Sequence, residues 1–291
     1  ALVPTGNMNA SIQTQLNTYK TAFEDNASVA NYNALSLYIP TAQASADAYT
    51  SINSAISSYA TKAAALDAVG AAAYDASAIQ TKYDNGTYET FAEAEAELTA
   101  AYVSAVKAQT TVGSDWTGVI VNPSFESDLS NGWTTNMARQ GNNSFGKTGS
   151  YYAEKWEPNG SYGVTQTIND MPAGVYRLSA RSKARGVTSA RLYAAGINQA
   201  ITIEDNEDNY SVQFACDDNA NVTIGFEGVG TGEDNSWLCI DNFTLTLVSA
   251  GLPDVTAVTG KMNADVAATQ TAAIEAYEDS DRKSTRLNSS H

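Results

Sequence analysis

Between about Met8 and Val112 the apolar positions recur every three or four residues. One set is Met8, Ile12, Leu16, Tyr19 and Phe23, and a second is Tyr49, Ile52, Ile56, Tyr59, Ala63 and Leu66. A third is Phe91, Leu98, Tyr102 and Val106. Each set falls on one stripe of an amphipathic helix, and such a stripe must be buried, so the segment predicts an antiparallel bundle. Thr90, three residues before Glu93, predicts a capping box for the last of these helices, and Gly70 a stop for the long one. The many tyrosines read as core filler, because alanine-rich helices leave room for large rings whose hydroxyls reach the solvent edge.

At Val112-Gly113-Ser114 the period changes from helical to alternating. Val119 to Val121 predicts a short strand, Asn122-Pro123-Ser124 a turn, and Gly132-Trp133 the opening of a second strand. In GVYRLSARSKARG, Tyr176, Leu178, Ala180 and Ala184 share one face, and Arg177, Arg181, Lys183 and Arg185 the other. In WLCIDNFTLTLV the odd positions Trp237, Cys239, Phe243, Leu245 and Leu247 are apolar. Strict alternation then puts Asp241 on the core side, where a carboxylate is costly unless paired. After the turn-rich SAGLPD, Ser249 to Asp254, helical spacing returns from Val255 to Ser280.

The expected fold is therefore an all-α antiparallel helical bundle followed by an all-β sandwich. Residues 1–113 make the bundle, 114–250 the sandwich, and 251–280 a linker and the first helix of a following repeat. The repeat rests on an ungapped match: TGKMNADVAATQTAAIEAYED from Thr259 aligns with TGNMNASIQTQLNTYKTAFED from Thr5, at an offset of 254. Residues 281–291, DRKSTRLNSSH, break with the helix before them and read as translated sequencing adapter, so they are set aside. The start, ALVPTGNMNA, has no basic and apolar leader and looks like the middle of a longer protein.

The motifs NPSFE (Asn122 to Glu126) with the following Gly132-Trp133, and W-x-x-IDNF-x-L from Trp237, resemble the galactose-binding-like β-sandwich of many bacterial carbohydrate-binding modules. YYAEKW (Tyr151 to Trp156), VTQTI (Val164 to Ile168) and MPAGVYRLSARSKARG (Met171 to Gly186) resemble its internal strands. The resemblance covers roughly residues 114 to 250 and implies a jelly-roll fold. The preceding bundle resembles those found as spacers in bacterial surface proteins. The resemblance also implies a structural Ca2+ held by Glu126 and Asp241, with carbonyl oxygens completing its shell. The other reading of Asp241 is a carboxylate that accepts backbone N–H groups with no ion.

Charge and composition narrow the function. The formal net charge is −16, and removing the tail's one acid and three bases makes it −18. Nucleic acid is thus an unfavourable partner. The single histidine, His291, lies in the tail, so a Ser-His-Asp triad and a histidine-ligated zinc are excluded for the rest. No carboxylate pair is marked as flanking a sugar bond, so no catalysis is expected in this segment. No apolar run approaches the ~20 residues that cross a bilayer. Cys216 and Cys239 lie 23 positions apart, as a disulfide or as two buried thiols.

For a ligand, Trp156 and Tyr162 stand at the two ends of EPNGSY, read as one loop that either binds a sugar or serves structure alone. Arg181 and Arg185 either contact an acidic glycan or form a solvated face balanced by EDNED, Glu204 to Asp208. The expected function is a non-catalytic extracellular or cell-surface repeat that binds polysaccharide or glycan through its sandwich. The alternatives are a structural or adhesive spacer array with no sugar site, and an accessory segment of a larger glycan-degrading enzyme. The glycan and the oligomeric state are not fixed by the sequence.

Overall fold

A computed structural model of the chain describes residues 3–252, 264–276 and 278–279. Five α-helices come first: α1 (Ala10–Asp25), α2 (Val29–Ala64), α3 (Ala68–Ala73), α4 (Ser77–Asp84) and α5 (Phe91–Lys107). The 36-residue α2, which accommodates Pro40, is the spine. Its first half packs on α1 through Leu35, Ala42 and Ala46 against Met8 and Leu16. Its second half packs on α4 and α5 through Tyr49 and Ile52 against Ile79, Tyr88 and Leu98.

The caps explain two sequence signals and correct one. Thr90 Oγ1 accepts from Glu93 N, while the Glu93 carboxylate reaches the N–H of Glu89. Asn9 caps α1, accepting from Ser11 N and Ile12 N, and its Nδ2 donates to Tyr88 O. Met8 beside it is buried, so the MNA of the first TG-x-MNA motif is a clamp that fastens α1 to its bundle. Gly70 does not stop the long helix, which ends at Ala64. It lies inside α3, where a side chain would collide with Gln109 and the Ala105 carbonyl.

Ten strands follow: β1 (Thr134–Thr135), β2 (Ala138–Gln140), β3 (Tyr152–Trp156), β4 (Asn159–Met171), β5 (Gly174–Arg185), β6 (Ser189–Ala194), β7 (Ile197–Ala200), β8 (Glu204–Cys216), β9 (Ala220–Thr231) and β10 (Trp237–Ala250). They form two antiparallel five-stranded sheets, β1-β4-β9-β6-β7 and β2-β3-β10-β5-β8, which is the jelly-roll sandwich the motifs predict. The strand expected at Val119 to Val121 is instead a 3-10 turn, Thr117–Val119, and Ile120 carries the chain on.

The motif ends meet as expected. Phe243 N donates to Pro123 O, and Phe125 packs against both Trp133 and Phe243 in the core. The facing of β10 does not follow strict alternation. A bulge between Asp241 and Thr244, with Asn242 at φ 57°, reverses the parity. Leu238 and Ile240 therefore face the inter-sheet core with Phe243, Leu245 and Leu247. Trp237 and Cys239 point to the other side of the sheet, onto Phe145 and Tyr152. Cys216 belongs to the main core, and both cysteines are free thiols.

Helices and sandwich form one unit, Ala1–Gly251. Val106 of α5 is part of the sandwich core, and Gly113 N donates to Leu247 O on β10. Residues 264–276 form a helix in a second unit, with Val266 and Ile274 exposed. The second TG-x-MNA motif up to Asn263, most of the expected linker and the tail lie outside the described residues.

Candidate functional site

Several places in the sandwich carry groups that could hold a ligand. The first is the outward face of sheet β1-β4-β9-β6-β7, where a cleft of about 500 Å³ runs over β4, β9 and β6. Register builds its floor: Gly225 lies between Thr165 and Tyr193, and Glu227 between Gly163 and Arg191. A Cβ on Gly225 would come within 2.5 Å of the Tyr193 hydroxyl and 2.3 Å of the Val164 carbonyl oxygen, so the absent side chain is what lets the end of the phenol lie over β9. Arg191 sits 5.6 Å from the Tyr193 ring centre, forms a 2.6 Å ion pair with Glu227, and donates to Asn198 Oδ1. Thr134, Asn136 and Ser161 complete the edge. The result is a flat ring with donors and acceptors at its rim.

Tyr162 lines this cleft, but Trp156 does not. The stretch from Glu157 to Tyr162 is no loop. Glu157 and Pro158 make the whole connection, and Asn159 already pairs with Thr231 in β4. Trp156 and Tyr162 therefore belong to different sheets. Tyr162 packs against the core under Lys155, whose Nζ is 4.8 Å from the ring centre. Trp156 lies beside Trp237 and Arg185 on the outward face of the other sheet.

The two arginines of the expected site are on that same face, each paired with an acid of β8. Arg181 binds Glu207 and Arg185 binds Asp205, both at 2.8 Å. The acids of EDNED thus meet the cations of β5, and the structure brings Arg185, but not Arg181, to the Trp156 ring.

The second place is the junction of NPSFE with IDNF. Glu126 Oε1 accepts from Ser150 N and Tyr151 N, and Asp241 Oδ2 accepts from Thr148 N at 2.6 Å. Gly149, at φ 77°, lets the loop close, since a Cβ there would stand 2.6 Å from the Glu126 carboxylate. Asp241 is wholly buried and its Oδ1 has no hydrogen-bond partner. Burial pushes its carboxyl up to about 7, against the N–H groups of Thr148 and Asn242, and the nearby Glu126 charge adds to the rise. An orphaned buried oxygen next to a second carboxylate fits a hard cation. Among the described residues no three His, Cys, Asp or Glu cluster, so most of the shell of such an ion would come from carbonyls or water. The bulge corrects the reason for Asp241's burial: it faces away from the inter-sheet core, under the loop from Gly141 to Ser150.

Sequence reasoning missed Tyr193, Arg191, Glu227 and Asn198. The available signal was VTIGFEGVG, Val222 to Gly230, in which Gly225, Gly228 and Gly230 interrupt a strand and mark close approach of other groups.

No family model matches the chain, and no curated protein does. Solved structures are similar to a part of this chain. One is a CBM61 module, TmCBM61, in complex with β-1,4-galactotriose, 20% identical, with TM-score 0.36 over 43% of this chain and 95% of that one. Another is the CBM22-1 xylan-binding domain of Xyn10C from Paenibacillus barcinonensis, 16% identical, with TM-score 0.34 over 48% and 99%. A Stig cyclase, Fisc, from Fischerella sp. TAU is 17% identical, with TM-score 0.35 over 44% and 96%. Among the described residues no helix is long and apolar enough to cross a membrane.

Proposed function

We propose that this chain is a non-catalytic carbohydrate-binding segment of an extracellular or cell-surface protein, and that the saccharide lies in the cleft over Tyr193. The observation that carries this reading is the Tyr193 phenol reaching over Gly225 with Arg191, Glu227 and Asn198 around it. Sugar rings present a flat C–H face and a girdle of hydroxyls. A flat phenol takes the face, and charged and amide groups take the girdle. The cleft is open along β4, which suits an internal stretch of a polysaccharide. Burying one ring face contributes on the order of 1–2 kcal/mol, so a single site is weak. Repetition of the unit, which the second TG-x-MNA motif supports, would raise avidity through effective concentration.

In the same reading Glu126 and Asp241 hold a structural Ca2+ that pins the loop from Gly141 to Ser150 to the first turn of the sandwich. The ion's charge would stabilise the ionised form of Asp241, which burial in the protein alone disfavours.

The test is calorimetric titration of the chain with a panel of neutral β-linked oligosaccharides. One or more should bind, and Tyr193→Ala should weaken the responder about tenfold or more while the melting curve stays that of a folded protein. If no oligosaccharide binds, the spacer reading takes its place; if Tyr193→Ala binds as the parent does, the saccharide lies elsewhere than the Tyr193 cleft.

A further inference from the structure

The opposite face of the sandwich carries a feature the cleft does not explain. In a chain of formal charge −16, β5 presents Arg181, Lys183 and Arg185 in a row. Two indoles lie beside them. Trp237 on β10 sits between Trp156 on β3 and Arg185 on β5, and Cys239 sits between Glu154 and Lys183. Trp237 is buried, and its Nε1 donates to Glu154. Trp156 is 45% exposed, 6.1 Å from Trp237 between ring centres.

The cations are held by these rings and by the backbone. The Arg185 guanidinium is 5.6 Å from the Trp156 centre and 5.8 Å from that of Trp237, and its Nε donates to Asn235 O. Lys183 Nζ lies 5.1 Å over Trp237. Their compensation is uneven. Arg181 pairs with Glu207, whereas Lys183 and Arg185 both reach the same oxygen of Asp205, each at 2.8 Å. The Asp205 side chain is 62% exposed, while those of Lys183 and Arg185 are 11% and 30% exposed. Two cations fixed by packing thus share one solvent-facing carboxylate, next to an open indole.

We propose that this face is a second saccharide site, selective for a sugar bearing a carboxylate or sulfate. Trp156 takes the face of the sugar, and its anionic group enters between Lys183 and Arg185 in the place that Asp205 holds when no ligand is bound. The exchange is favourable for a physical reason. Asp205 is well hydrated and gives up a screened surface contact, which is weak in itself. The incoming anion gains two charge-assisted hydrogen bonds from groups already oriented, one of them a planar guanidinium. Asp205 is then a built-in competitor, and neutral sugars, which cannot displace it, are left with the indole alone. The site shares no residue with the Tyr193 cleft, so either can fail without the other.

The experiment uses the chain as it is, at low and physiological salt, with four probes: a uronic-acid oligosaccharide, a sulfated oligosaccharide, a neutral oligosaccharide of the same backbone, and inorganic sulfate. The acidic saccharides should bind and weaken with salt. Trp156→Ala should weaken them about tenfold, Asp205→Asn should tighten them several-fold, and Tyr193→Ala should leave them unchanged. The uronic and sulfated arms report which anion fits. Equal binding of neutral and acidic saccharides by Tyr193→Ala, in which the other cleft is disabled, an Asp205→Asn variant that binds acidic saccharides no better, or a Trp156→Ala variant that binds them as well as the parent overturns the proposal. So does inorganic sulfate binding as tightly as the sulfated saccharide, because the ring would then contribute nothing.

Discussion

Two aspartates, Asp67 and Asp241, tie distant parts of this chain together, and they do it in opposite ways. Asp67 stands between α2 and α3 where the helices meet the lead-in to the sandwich. Its Oδ1 accepts from Val69 N and Gly70 N, and its Oδ2 from Thr110 N and Thr111 N, both at 2.8 Å, with Ser114 Oγ at 3.4 Å. Partial burial alone would raise its pKa, but the N–H groups of Gly70, Thr111 and Thr110 outweigh it and hold the carboxyl well below the usual range. Asp241 has one oxygen bonded and the other orphaned, and burial wins. A carboxylate meant to brace backbone is surrounded by donors. One left short of donors inside the fold needs a further charge, and that contrast carries the calcium proposal.

The sharpest way to break the contrast is pH. The folded pKa of Asp241 lies above its unfolded value, so the protein binds this proton more tightly folded than unfolded. Its contribution is therefore fully present below about pH 4 and is lost as pH rises to about 7. In chelator the loss should be of the order of 4 kcal/mol, at roughly 1.4 kcal/mol per pH unit. Asp241→Asn, which keeps the acceptor for Thr148 N and removes the charge, should flatten this limb and be at least as stable as the parent at pH 8. Denaturant titrations at several pH values measure it. A parent with no loss of stability from pH 4 to 7 in chelator, beside an unchanged variant, would mean that Asp241 is solvated after all.

Calcium sharpens the same contrast with a slightly smaller effect. At free calcium about a hundredfold above Kd, the parent at pH 8 should gain about 2.7 kcal/mol. Asp241→Asn and Glu126→Gln should gain little. A parent that melts identically in calcium and in chelator removes the ion from the account and leaves Asp241 as a buried acid without a purpose.

How far the sequence reached follows from what each feature depends on. Helices α1 and α5 were legible from Ile12, Leu16, Phe91 and Leu98, because a stripe is written within one segment. The meeting of NPSFE with IDNF was legible through the resemblance, and Pro123 O accepting from Phe243 N is its physical form. The facing of Trp237 was not, since one left-handed residue, Asn242, inserts a bulge and flips every position before it relative to those after. EPNGSY looked like a loop because Pro, Asn and Gly favour turns, yet only Glu157 and Pro158 turn, and Gly160 sits opposite Gly230 in a ladder. The Tyr193 cleft depends on register between Gly225 and a residue 32 positions away, which no local pattern encodes.

The last prediction tests the brace. Replacing Asp67 by Asn keeps its size and one acceptor but gives up the charge that strengthens bonds to Thr110 N and Thr111 N. Because its folded pKa is depressed, Asp67 contributes stability above about pH 4, and that contribution is lost as pH falls through its folded value, the reverse of Asp241. The variant should be less stable by about 2 kcal/mol at neutral pH, a figure at the modest end because the group is partly solvated. It should also lose part of the parent's acid sensitivity and keep any calcium response in full. Amide hydrogen exchange locates the effect: Thr110 and Thr111 should lose protection, while β10 beyond Leu247 and the loop from Gly141 to Ser150 should not. If the whole chain loosens equally, Asp67 supports the common core rather than the joint between helices and sandwich.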